Sequence, residues 1–356
     1  MMKAALLTLL AALFASVGAG AADADSIAPI PVKVVVVTMF ETGADTGDKA
    51  GEFQRWYERV PLDTRFPAPH MHHDIHMNLE SGVLGIVTGM GTANAAASVM
   101  ALGLDPRFDL SKAYWLVAGI SGFDPADASL GSVAWAEWLV DGDLAHEIDS
   151  REIPEGWNHG YFPLFSQGPE DASRKSYNLG EVFRLNTGLV NWAYGLTRDM
   201  PLPDHPTLEA ARKPYVDYPV GQQPPRVIKG DQLAAMTFWH GELLNDWANE
   251  WVKYWTDGQG EFVSSAMEDT GTFQSLTYLD AAGKVDKDRV MVLRTASNFT
   301  LPPPGKTAAA YLLEEQHDSY AGLDAALENA YQVGRKVIDT LLADWEQHAR
   351  QIPAAN

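Results

Sequence analysis

Apolar positions along the chain follow two rhythms. Unbroken runs at 32–37 (VKVVVV), 113–120 (AYWLVAGI), 132–140 (SVAWAEWLV), 226–230, 262–267 and 290–297 predict buried strands. Residues 75–79 and 83–88, split by Glu80-Ser-Gly82, predict a hairpin. The longer period predicts helices over 48–59, with Asp48 as N-cap, and over 93–102, 179–198, 241–256, 273–279 and 323–342. Trp247, Trp251 and Trp255 recur every fourth residue, the spacing of a buried helix stripe.

Strands and helices alternate, so the expected class is α/β with a mixed central sheet flanked by helices. Two stretches break the alternation. Residues 141–176 are rich in Gly, Pro and aromatics, and 200–225 are proline-rich. Both exceed ordinary connections and read as irregular insertions in one domain over 23–356.

Composition narrows the partners. The 356 residues carry a formal net charge of −21 and 46% hydrophobic residues. Such a surface repels phosphate backbones and anionic lipid, which disfavours nucleic acid and membrane surfaces as partners. Lys3, an apolar run over 4–15 and small residues at 19–22 read as a signal peptide over 1–22. The mature chain is then expected in the periplasm or outside the cell. The chain has no cysteine, so disulfides and thiolate metal sites are excluded. No further apolar run reaches the length of a membrane span.

The stretch 83–99 (VLGIVTGMGTANAAASV) reads strand, glycine turn, helix. Its Gly89-x-Gly91-x-x-Asn94 spacing approaches a dinucleotide fingerprint, but Asn94 stands where a third glycine belongs. Three ordered segments place the turn in another context: this one; VAGISG at 117–122 with LGSV at 130–133 and VDGD at 140–143; and SAMEDT at 265–270 with LRTASN at 293–298. Together they resemble the nucleoside phosphorylase and nucleosidase superfamily. AAASVMALGLDPRFD at 95–109, AWAEW at 134–138, DLAHEI at 143–148 and TFWHG at 237–241 resemble the purine nucleoside permease family more closely.

The resemblance implies a nucleoside phosphorylase-like fold, a purine nucleoside ligand and no cofactor. It also implies a homo-oligomer, because a neighbour often completes the pocket in that superfamily. Glu268 would hold the ribose 2′ and 3′ hydroxyls, with Met267 packed on the sugar. Nucleosidases carry a further glutamate where this chain has Ala266. Asn298 would contact purine N7 as the base leaves. An amide there donates a hydrogen bond but cannot deliver a proton, as the nucleosidases' aspartate can. Phosphorolytic relatives place an arginine near the second segment. Neither 115–121 nor 38–43 has one, so water is the expected nucleophile, with Glu41 as the candidate base.

Gly89, Gly91, Thr92 and Asn94 offer a turn whose backbone can approach a ligand closely. Ser121 lies in the second segment. Tyr161, Phe162, Phe165, Phe238 and Trp239 are candidate walls for a flat base, and His240 could reach a ribose hydroxyl. On an extended strand, His70, His72, Asp74 and His76 would share one face, the spacing of a zinc chelate or of a solvated hairpin edge. The expected activity is cleavage of a purine nucleoside's glycosidic bond. The alternative is a nucleoside-binding component of an uptake system. That alternative requires a membrane transport partner, because a chain with no spanning segment cannot itself carry solute across a bilayer.

Overall fold

In the computed structural model, which describes residues 28–169, 171 and 179–355, the valine run forms the parallel centre of a large sheet. The elements that build and frame the site are, in chain order, β1 (Val34–Thr38), α1 (Gln54–Arg59), β2 (Ile75–Asn78), β3 (Val83–Val87), α2 (Thr92–Gly103), β4 (Tyr114–Phe123), β5 (Val133–Ala136) and β6 (Trp138–Asp141). They continue with α3 (Thr187–Thr197), β7 (Asp231–Ala234), α4 (Glu242–Trp255), β8 (Phe262–Ala266), α5 (Asp269–Ala281), β9 (Val290–Phe299), α6 (Ala308–Asp318) and α7 (Leu323–Ala343). The signal peptide expected over 1–22 lies outside the described residues, as do positions 170 and 172–178 of the first insertion.

The mixed sheet has twelve strands. β4 is its spine. It runs parallel to β1 along one edge and to β9 along the other, and near its end it takes β8 antiparallel. β1 and β4 are buried almost throughout, which explains their near-continuous apolar sequences. α7 packs on β4 and β9, closing the main core. The tryptophan stripe of α4 fills a second apolar cluster with Trp239 and Phe262, as its spacing anticipates.

Several boundaries differ from the sequence expectation, each for a long-range reason. The helix expected over 48–59 starts only at Gln54, because Asp48 accepts the Ala44 amide and holds a loop instead. The run 132–140 is two strands. Asp231 accepts the amides of Glu137 and Trp138 at 3.0 and 2.8 Å, and this breaks the ladder between β5 and β6. The start of the helix expected over 179–198 is a strand, Val182–Arg184, paired with β6. α3 then begins where Asn186 caps the Leu189 amide. Inside 200–225 a short helix, Pro206–Arg212, uses its proline in the first turn. No described helix is long and apolar enough to cross a membrane.

Candidate active site

The site forms where β1 and β4 part. They pair from Val34–Tyr114 to Val37–Val117, and β4 gains β8 only at Gly122. Between these points Ile120 has no strand on that edge, and its backbone groups need other partners. Glu52 and Arg294 provide them. Glu52 Oε1 accepts the Ile120 amide at 2.7 Å, and Arg294 Nη1 donates to the Ile120 carbonyl at 2.9 Å. Glu52 Oε2 accepts the Met39 amide at 2.7 Å, so one carboxylate bridges the ends of both diverging strands. Gly119 makes room for this: an added Cβ would lie 2.6 Å from Arg294 Nη1 and 2.7 Å from Glu52 Oε1.

Arg294 rises from the middle of the fully buried β9 into three carboxylates. Its Nη2 donates to Glu268 Oε2 at 2.9 Å and to Asp269 Oδ2 at 2.6 Å. Burial works to depress the guanidinium's pKa, but Asp269, Glu268 and Glu52 outweigh it and hold Arg294 above its ordinary value. Glu52 moves the other way. Burial, reinforced by the charge of Glu268 and opposed by Arg294, pushes its carboxyl up to about 8. That value suits a group that takes a proton near neutral pH.

Glu268 stands at the junction of β8 and α5. Its Oε1 accepts the Gly91 amide at 2.9 Å across the chain. With one strong donor on each oxygen, lone pairs remain for two adjacent hydroxyls. Asn298, near the end of β9, is also buried. Ser297 Oγ lies 2.8 Å from its Oδ1, and Nδ2 has only a long 3.3 Å contact to the Phe299 carbonyl. One amide hydrogen is therefore free to donate.

Glu52, Ser121, Met267, Glu268, Arg294 and Asn298 line one cavity of about 630 Å³. This lies within the ~300–1,000 Å³ typical of small-molecule sites. Ser121 Oγ is buried on the wall without a hydrogen-bond partner. Phe238 and Tyr320 lie parallel at 6.4 Å between centroids and belong to the same lining, as does Glu315 from α6. Burial raises Glu315 to about 8, against the hydrogen bond from Tyr311, and its Oε2 has no partner. The lining thus includes a carboxyl whose charged form is disfavoured by burial.

The other sequence candidates are placed differently. Glu41 does not line the cavity. Its carboxylate accepts the amides of Gly51, Phe53 and Gln54 and serves as the missing cap of α1. Glu52, eleven residues on, is the carboxyl of this loop that lines the cavity. Thr92 Oγ1 donates to the Met267 carbonyl and the Gly91 amide to Glu268, so both hold Met267 and Glu268 in place. Gly89 and Gly91 have positive φ, as the turn requires. Asn94 is exposed and bonds the Met90 carbonyl, a turn-stabilising role. Trp239 packs against Trp247 and Phe262 in the second core, and Tyr161 stacks beside Trp247. Phe162 packs on His146 and Trp157, and Phe165 is exposed. His240 stacks on Tyr311 outside the cavity lining, and burial lowers its pKa to about 4.

The quartet of His70, His72, Asp74 and His76 does not converge, because β2 begins only at Ile75 and the preceding bend breaks the alternation. Asp74 binds Arg65 and the Ala68 amide instead. Sequence reasoning also passed over Glu52, Arg294 and Glu315. For Arg294 the sequence does hold a signal: it is the only charge within the otherwise uncharged run of β9.

Comparison with known proteins agrees with the fold. The family model described as purine nucleoside permease (NUP) matches residues 31–353. A Candida albicans purine nucleoside permease is 31% identical over 320 residues, covering 88% of this chain and 76% of the relative. A Schizosaccharomyces pombe protein carrying the same family name is 28% identical, covering 88% of this chain and 90% of its own. Among solved structures, a 5′-methylthioadenosine/S-adenosylhomocysteine nucleosidase from S. pneumoniae superposes with a TM-score of 0.51 at 15% identity, over 87% of this chain and all (100%) of that one. The corresponding Colwellia psychrerythraea enzyme gives 0.50 at 16%, over 87% and 96%. At this identity the likeness is one of fold, the nucleoside phosphorylase-like fold. With the family model spanning nearly the whole described chain, this protein belongs to the purine nucleoside permease family.

Proposed function

We propose that the cavity binds a purine nucleoside and that the protein hydrolyses its N-glycosidic bond. The observation that carries this reading is the meeting of Glu52, Arg294 and Glu268 with Asn298 on one cavity wall. Glu268 accepts hydrogen bonds from the ribose diol, and Met267 packs on the sugar. The C1′–N9 bond breaks with its electron pair passing to the purine, while positive charge grows on the sugar. The carboxylates around Arg294 favour that charge. Nδ2 of Asn298 donates to the departing base at N7. Glu52 takes a proton from water as the water oxygen bonds to C1′, and the purine anion gains its proton from solvent.

Water is favoured over phosphate because the site's arginine is already neutralised. Arg294 spends its donors on Glu268, Asp269 and Ile120, and the other cation of the lining, Lys49, is exposed. We further read the protein as exported by its 1–22 leader and as a homo-oligomer. The family name keeps a second reading in view: a binder that delivers intact nucleoside to a membrane transport partner.

The test is base release from adenosine, guanosine and inosine by the mature protein, with and without phosphate. Release without phosphate supports hydrolysis. Release only with phosphate replaces it by phosphorolysis. Tight binding with the bond intact selects the binder.

A further inference from the structure

Outside the cavity, the loop that carries Glu52 meets the bend before β2. Asp45 from that loop faces two imidazoles. His73 Nε2 lies 2.9 Å from Asp45 Oδ1, and His76 Nε2 lies 3.5 Å from Asp45 Oδ2. One donor atom from each residue falls within 4.8 Å of the others. Tetrahedral zinc with bonds of ~2.0–2.1 Å puts its ligand atoms ~3.3 Å apart, so little movement separates this arrangement from a coordination site.

The hydrogen bonding around His73 favours a cation. Its Nδ1 is 2.8 Å from the Asp74 carbonyl. A carbonyl only accepts, so Nδ1 carries the hydrogen, and whatever lies between Nε2 and the Asp45 carboxylate must satisfy a lone pair on each side. A lone pair and a carboxylate oxygen at 2.9 Å repel each other unless a proton or a metal ion stands between them. His76 is buried on β2, its Nδ1 without a hydrogen-bond partner, and Phe53 and Tyr57 pack against its ring at 5.9 and 5.2 Å. His73 and Asp45 keep about a quarter of their side-chain surface exposed, which leaves a path for an ion and a side for bound water.

We propose that Asp45, His73 and His76 form a divalent transition-metal site, best suited to zinc, that fastens the loop carrying Glu52 to β2. Two imidazoles and one carboxylate give a site of single positive charge, completed by water. The metal is structural and stands apart from the nucleoside cavity: Phe53, the residue after Glu52, packs its ring on both histidines. Filling the site fixes the approach of the Glu52 loop to β4.

The experiment is titration of tag-free, chelator-treated mature protein with Zn²⁺ against a chromophoric competitor, and with Co²⁺ followed by its visible d–d bands. The expected result is one ion per chain. Asp45→Ala and His73→Ala should each weaken binding at least about 100-fold, the scale on which losing a metal-site interaction is felt. His70→Ala and His72→Ala should leave it unchanged. Zn²⁺ should also slow amide exchange over 40–53 in the wild type and not in Asp45→Ala. Absence of binding overturns the proposal, and so does binding that survives Asp45→Ala and His73→Ala or that is lost in His70→Ala or His72→Ala. None of these readouts depends on nucleoside turnover.

Discussion

Nη2 of Arg294 lies 2.9 Å from Oε2 of Glu268, with both side chains buried. The same nitrogen serves Asp269 at 2.6 Å, so removing the guanidinium would leave two buried carboxylates face to face. Arg294→Met is expected to destabilise the fold by ~3–5 kcal/mol, the cost of breaking a buried ion pair from one side. Urea unfolding measures this. A second change, Asp269→Asn, should recover part of the loss, and failure to recover any would count against the charge argument.

Glu52 and Glu41 separate the chemistry from its scaffold. Glu52→Gln should lower the rate of base release by ~10²–10⁴-fold while nucleoside affinity changes little, because a positioned base is worth that much. Glu41→Gln should cost ~1–3 kcal/mol of stability through weakened amide bonds at the start of α1, with turnover held within a few fold. Reversal of the two phenotypes would return the base role to Glu41.

The pH dependence follows from the raised carboxyl of Glu52, near 8 in the folded protein. Only the deprotonated form accepts water's proton, so kcat/KM should rise about tenfold per pH unit below that value and level off above it. Stability runs the other way. The contribution from the Glu52 proton is fully present below the unfolded value of 4.5 and is lost as pH climbs toward and through about 8. Plotting the Tm difference between Glu52→Gln and wild type against pH should show the variant gaining across that window.

Asn298→Ala removes the donor that the proposed mechanism directs at the leaving base. A fall in kcat of ~10²-fold is expected, comparable to deleting one oxyanion donor. If kcat is unchanged while KM rises, Asn298 merely holds the substrate.

Gly119→Ala should disable the site without touching a functional group. The new methyl would sit 1.9 Å from Met39 Cε and inside contact distance of Arg294 and Glu52. Met39 Cε is the far end of a flexible side chain on the cavity lining, whereas the two charged groups are locked by hydrogen bonds. Loss of turnover and a lower Tm are expected together. Normal activity would show that the spacing of Glu52 and Arg294 tolerates more slack than their bonding suggests.

What the sequence reveals here is mainly local. The valine run of β1, the hairpin of β2 and β3, and the stripes of α4 and α7 are legible because side-chain period and burial are the same fact seen twice. Glu268 and Asn298 are legible through motifs at strand ends. Glu52 and Arg294 are not, because what places them is the unpaired backbone of Ile120, 68 and 174 residues away. The break between β5 and β6 depends likewise on Asp231, 94 residues distant from Glu137. Tyr161 and Trp239 pack in the second apolar cluster and lie outside the Glu268 cavity for a simpler reason: a large ring serves a core as readily as a ligand wall.

The change of partner along β4 has a mechanical consequence. Residues that line the cavity hang from two half-sheets, Glu52 beside β1 and Glu268 after β8, and the long strands β4 and β9 are the shared axle. Glu52 and Arg294 tie the two halves together through Met39, Ile120 and Glu268. On the proposed reading, the span between base and sugar clamp is therefore set by how the two half-sheets meet along β4 and β9, and not by any one loop.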